Sequence, residues 1–193
     1  RQLVAWAAPR GPFPVLAVPA TCGLGGAAAA VGSEAWTFDE DKEVLVPLPS
    51  VHPAQVVLAD PELLSGLGAP QLTWMALAAV GGCADGLVHW ALQGPTTGEE
   101  NPYYKLSILG IELAAAGLRI LSIEPDSLVA RQKLMEASIC AGQVSIGKAG
   151  ATFKLFGMAW LPAFAPLQHS ALSALILPRW LATLAAGLEE GPP

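Results

Sequence analysis

Apolar and polar positions change their rhythm near residue 70. Ahead of that point, short Val- and Leu-rich runs sit between Gly and Pro: PVLAVPA, KEVLVPLPS and AQVVLAD. Runs punctuated in this way predict short strands. Beyond it the spacing is helical. LTWMALAAVGGCADGLVHWAL predicts one buried helix, or two broken at Gly81-Gly82. After the loop QGPTTGEE, Asn101-Pro102 opens a helix, with Asn as N-cap and Pro at the first helical position. Leu106, Leu109, Leu113 and Ile120 form the apolar stripe of that helix. Asp126 or Ser127 caps the next, on which Leu128, Met135 and Ile139 share a face. The last helix runs from about Ser170 through Leu184, kinked or broken at Pro178, and the closing GLEEGPP reads as frayed.

A handful of strands without partners is a poor domain. The expected fold is therefore mainly α: a C-terminal helical-bundle domain over 69–193, preceded by a few strands and a Gly-rich loop over 1–68. Those strands read as the trailing part of a truncated N-terminal α/β domain.

Composition narrows the partners. The 193 residues are 53% hydrophobic and only 13% charged, which implies surface covered by a further domain or a second subunit, such as a homo-oligomer. A net charge of -6 argues against nucleic acid. Leu155 to Pro178 carries no formal charge and has the length of a membrane span, but Pro162 and Pro166 interrupt it and no basic cluster flanks it. A buried helix pair is the expected reading, and a membrane partner is not expected. The N-terminus, RQLVAWAAPRGPF, lacks the order of a signal peptide. Cys22, Cys83 and Cys140 are odd in number and contain no C-x-x-C, which fits reduced thiols in the cytoplasm.

Five stretches, in order, resemble the iron-containing alcohol dehydrogenase family of the dehydroquinate synthase-like superfamily, and they reach from Phe13 to about Trp180. VLAVPATCGLGG resembles an apolar strand followed by P-T-T-x-G-T-G-S-E, and VVLADPELL resembles A-I-V-D-P-E-L. NPYYKLSILGIELAA is similar to the family helix that opens on Asn-Pro. LVARQKLMEASICAG is similar to L-x-A-R-x-x-M-x-x-A-S-x-x-A-G, and ALSALILP to A-N-A-I-L-L-P. The resemblance implies a nucleotide-binding α/β domain and an all-helical metal and substrate domain. It further implies NAD(P) as hydride carrier, Fe(II) or Zn(II) as Lewis acid, and a small alcohol or aldehyde as substrate. The family's Gly-rich pyrophosphate loop would precede Arg1, so the missing nucleotide-binding domain counts among the expected partners.

In the family the metal is held by one Asp and three His, the Asp and first His four residues apart. Asp85 and His89 reproduce that spacing, and His169 stands where the last His is expected. The third should precede it by about fourteen residues, where KAGATFKLFGMAWLPAF contains none; the chain's remaining His is His52. The implied metal set, Asp85, His89 and His169, is therefore incomplete. An ungapped placement would instead put the Asp near Ala79 and the His near Cys83. Read on its own, Asp85-x-x-x-His89 is equally a helix pair in which the carboxylate satisfies the imidazole. In the loop, Thr21, Gly23 and Gly25 remain as cofactor-binding candidates, while Ala20, Leu24, Gly26 and Ala27 replace residues that would offer Thr, Thr, Ser and Glu. Glycine freedom at a strand-to-loop turn explains the same glycines.

Three readings follow. The first is an NAD(P)-dependent metal alcohol or polyol dehydrogenase with a degraded metal site and an incomplete cofactor site, so that this chain alone is inactive. The second is a non-catalytic pseudoenzyme that keeps the fold for assembly or binding. The third is a metal-independent enzyme using His169 as catalytic acid/base.

Overall fold

The computed structural model describes residues 16–24, 36–39, 44–47, 54–91, 101–146 and 169–190. Strands β1 (Leu16–Ala17) and β4 (Val56–Val57) pair in parallel; β2 (Trp36–Asp39) and β3 (Val44–Pro47) pair antiparallel. Each of the three runs expected as strands contains one, and β2 is an addition that periodicity did not flag. A short 3-10 turn, Pro61–Leu64, leads into α1 (Ala69–Ala91), α2 (Pro102–Ile123), α3 (Leu128–Ile146) and α4 (His169–Glu190). The shift to helix thus falls where the pattern changes.

Local chemistry explains the starts. Asp60 accepts from the Glu62 N–H at 2.9 Å and Pro61 follows, which opens the 3-10 turn. Asn101 Oδ1 accepts from the Tyr103 N–H at 2.9 Å, and Pro102 needs no partner for the N–H it lacks. α1 runs through Gly81-Gly82 without a break, so the two-helix alternative falls away. α4 likewise continues through Pro178. Its proline removes one hydrogen bond, and the flanking turns carry the helix past it. Contrary to the expected frayed end, α4 also extends through Leu188 and Glu189 to Glu190.

The apolar stripe of α2 is a correction. Leu109 is 45% exposed, and Leu106, Leu113 and Ile120 are only half-buried. Ser107, Gly110, Ala114, Gly117 and Leu121 are the residues that turn inward. α2 lies so close to α1 and α3 that small side chains must line the contact. A Cβ on Gly110 would stand 2.5 Å from Cys83 Sγ and 3.0 Å from Cys140 Cβ; one on Gly117 would meet Leu134 Cδ2 at 2.6 Å. On α3, Met135 is buried and Ile139 half-buried, but Leu128 faces solvent. Leu128 is the first residue of the helix and is 46% exposed.

Two apolar clusters fill the bundle. One joins Cys22, Leu64, Leu72, Ala76, Leu121, Ala130, Leu134 and Met135. The other joins Leu24, Ala78, Ala79, Cys83, Ala141 and Leu177. α1 is in contact with each of the other three helices. By length and composition α1 and α2 could each cross a membrane, but more than half of the qualifying stretch in α1 is buried against its neighbours. Such burial is that of a core helix. Most of Leu155 to Pro178, the stretch singled out from the sequence, lies outside the described residues.

Candidate functional site

The loop after β1 is pinned to the bundle rather than held above it. Cys22 enters the first cluster and Leu24 the second, both nearly inaccessible to solvent. Between them, the Gly23 carbonyl accepts from Ser138 Oγ at 2.9 Å. The Gly23 backbone also lies against Met75; a Cβ there would be 3.3 Å from Met75 Cγ. Thr21 is half-buried and Ala20 exposed, so the side chain of Thr21 is the polar group this segment keeps near the surface. Gly25, the remaining loop candidate, lies outside the described residues.

Arg131 belongs to the same support. Its Nε donates to the Leu64 carbonyl at 3.4 Å, and its Nη2 lies 3.5 Å from Asp126 Oδ1. The guanidinium is buried and the Asp126 carboxylate fully exposed, so the carbonyl contact carries more weight. Arg131 ties the 3-10 turn to α3 and thereby fixes the approach to α1.

Because α1 is continuous, Asp85 and His89 stand one turn apart on one side of it. Asp85 is 6% exposed and His89 half-buried. The His89 ring meets Trp90 edge-on, with centroids 4.9 Å apart, and Trp90 stacks on Tyr103 at 5.9 Å. That aromatic set fastens the end of α1 to the start of α2. His169 is the first residue of α4, half-buried, and α4 packs on α1. Ser173 follows His169 by one turn and Leu177 by two, and Leu177 sits in the cluster with Ala78, Ala79 and Cys83 of α1. The His169 face of α4 is therefore the face turned to α1.

Two candidate regions cannot be placed. His52 and the stretch KAGATFKLFGMAWLPAF lie outside the described residues. Among the described residues, no three His, Cys, Asp or Glu side chains form a group able to hold a metal ion. A catalytic zinc needs three convergent protein ligands. Asp85, His89 and His169 do not supply that set in this structure, and no chemical step is assigned to a metal.

The cysteines are free and buried, which makes them core residues. Burial pushes the Cys22 and Cys83 thiols up to about 12, with the proximity of Cys140 adding to the effect at Cys83. Burial also raises Cys140, and Glu136 adds to it. Thiols held this firmly in the neutral form are poor nucleophiles and poor ligands.

Sequence reasoning missed the anchoring of this site. Leu24 stands out as a lost hydroxyl when read as a cofactor residue, yet its place is in the core. Cys22 and Leu24 are the apolar residues of that loop, and their hydrophobicity was the available signal. Ser138 and Arg131 lay inside a quoted motif without an assigned role, because their partners are distant along the chain.

With this geometry established, the class of protein is a helical bundle preceded by short paired strands. No protein-family model and no curated protein matches the sequence. Solved structures do match. An iron-containing alcohol dehydrogenase from Thermotoga maritima is 16% identical with a TM-score of 0.74, over 93% of this chain and 46% of its own. A maleylacetate reductase from Rhizobium sp. is 20% identical with a TM-score of 0.73, over 95% and 49%. A protein from Ralstonia eutropha, described as an alcohol dehydrogenase, is 26% identical with a TM-score of 0.71, over 90% and 46%. The chain has the fold of the iron-containing alcohol dehydrogenase family, as its mainly α C-terminal domain. It spans under half the length of the structures it matches.

Proposed function

We propose that this chain is the helical ligand-binding part of an oxidoreductase related to the NAD(P)-dependent alcohol and polyol dehydrogenases. Its site is the contact between α1 and α4, and its ligand is a small alcohol or aldehyde. The observation that carries this reading is Asp85: a carboxylate 6% exposed, one turn before His89 on an unbroken helix that packs against α4, the helix headed by His169. Asp85 and Arg131 are the charged side chains buried among the described residues, and a buried carboxylate is expensive without a purpose.

The loop around Thr21 would meet the nicotinamide end of NAD(P), and a nucleotide-binding domain would supply the phosphate contacts. One structure of this fold, a sulfoacetaldehyde reductase from Bifidobacterium kashiwanohense, was solved with NAD+. That supports the cofactor class by likeness of fold. The exposed apolar residues in and just after the parallel strands, Leu16, Val18, Val56 and Leu58, support a covering α/β layer, because parallel strands are normally buried on both faces. We place the protein in the cytoplasm and leave room for a homo-oligomer.

Within this reading the metal site is degraded, and His169 is the residue placed to exchange a proton with the ligand oxygen. The incomplete ligand set favours a second reading, a binding module without turnover. Titration of the full-length protein with NADH and NADPH, together with metal analysis, tests the two. Saturable cofactor binding with substoichiometric iron and zinc is expected. Absence of cofactor binding would move the protein to the second reading, and stoichiometric metal would contradict the degraded site.

A further inference from the structure

α2 is more apolar than α1 and yet less covered: 28% of its qualifying stretch is buried, against 56% in α1. Its inner side is taken by Ser107, Gly110, Ala114, Gly117 and Leu121. On the opposite side the helical period aligns Lys105, Ile108, Glu112, Ala115, Ala116, Arg119 and Ile123. Ile108 is 37% exposed and Ile123 83% exposed, and Lys105, Glu112 and Arg119 are exposed beside them. A helix face of this kind, apolar and uncovered within the fold, is one that a partner covers.

The order of the residues points to the occupant. Turned end for end about the Ala115–Ala116 bond, the stripe sets Glu112 opposite Arg119 and Ile108 opposite Ile123. Within one helix Glu112 and Arg119 stand about 10 Å apart along the axis, too far to pair. Across a two-fold axis the same contact forms twice, because residue i meets j and j meets i. The rotation also brings Lys105 towards Glu124 and Asp126, the exposed acids at the end of the opposite helix. Lipid fits less well, since Glu112 and Arg119 would enter it from the middle of the apolar stripe. We propose that α2 is a self-docking face, through which two copies of this chain pair with antiparallel α2 helices. Ile108 packs on Ile123 of the second copy, and Glu112 forms reciprocal ion pairs with Arg119. A shorter register centred on Ile108 and Leu109 would pair Lys105 with Glu112, but it leaves Arg119 and Ile123 uncovered. This assigns a face to the homo-oligomer and is independent of the ligand site between α1 and α4.

Sedimentation velocity of the full-length protein over a wide concentration range reads the equilibrium, and circular dichroism confirms that each variant is folded. The wild type should dimerise. Glu112→Arg and Arg119→Glu each set like charges opposite one another twice, so each alone should weaken the dimer about tenfold. Combined in one chain, the two reversals restore opposite charges and should recover most of the affinity. A wild type that stays monomeric would overturn the proposal. A dimer indifferent to both single reversals would place the interface elsewhere and overturn it too. Failure of the double variant to recover would remove the antiparallel register, and the proposal with it. Sedimentation of a monomeric wild type with phosphatidylserine-containing vesicles would give the face to lipid instead. NADH binding is measured on the same variants; its loss in the wild type would touch only the dehydrogenase reading.

Discussion

α1 makes two kinds of contact. Against α2 and α3 it presents Cys83 and Gly86 to Gly110, Cys140, Ser107 and Val144, at distances that leave no room for another atom. Against α4 it receives a helix whose inner face bears His169 and Ser173. The first contact is dry, small and fully occupied. The second buries Ser173, whose hydroxyl makes no hydrogen bond within the fold. One helix therefore packs in two ways, and the proposed site lies on the second.

Alkaline pH should act most strongly on the dry side. An unfolded thiol ionises near ~8.5, whereas Cys83 is pushed up to about 12 in the fold. The raised value means that the stabilising contribution is complete below the unfolded value. It is lost as pH rises from there towards about 12. By the upper end the loss amounts to roughly 5 kcal/mol at most for one thiol. Denaturation curves of wild type and Cys83→Ala, compared between pH 8 and 11, should converge as the wild type weakens. A constant difference would contradict the burial.

Overpacking comes next. Gly110→Val should destabilise by about 3 kcal/mol, because Cys140 Cβ is fixed by its own backbone and cannot yield. Gly110→Ala should cost less, since alanine's better helix propensity offsets part of the clash. If Gly110→Ala is stabilising, the two seams are not as different as described.

Ser138→Ala should cost about 1–3 kcal/mol by leaving the Gly23 carbonyl buried without its donor. Because Gly23 belongs to the loop that carries Thr21, the same change should also weaken NADH binding. Asp126→Ala should have the smallest effect, under about 1 kcal/mol, since that carboxylate is fully exposed. A larger loss would show that Arg131 depends on its ion pair more than on the Leu64 carbonyl.

How much of this was legible along the chain depended on the range of each interaction. The Asn101 cap and Pro102 were legible because both act within three residues. The Asp85–His89 relation was legible because helical period alone places them together, once α1 is continuous. The inward face of α2 was not, because leucine spacing records hydrophobicity and says nothing of how closely another helix approaches. Ser107, Gly110 and Gly117 are inward because α1 and α3 come near, and that is a property of three helices at once. Leu24 was misread for a related reason: a residue's role in a loop depends on which helix the loop lies against. Ser173 gave no signal at all in the sequence, since a missing hydrogen bond exists only in three dimensions.

The central claim is that the α1–α4 contact receives a small polar ligand. The chain has three histidines, His52, His89 and His169, so their imidazole NMR signals can be followed individually during a glycerol titration. The account predicts that the His89 and His169 signals shift together with one saturation curve. No movement of either would contradict it.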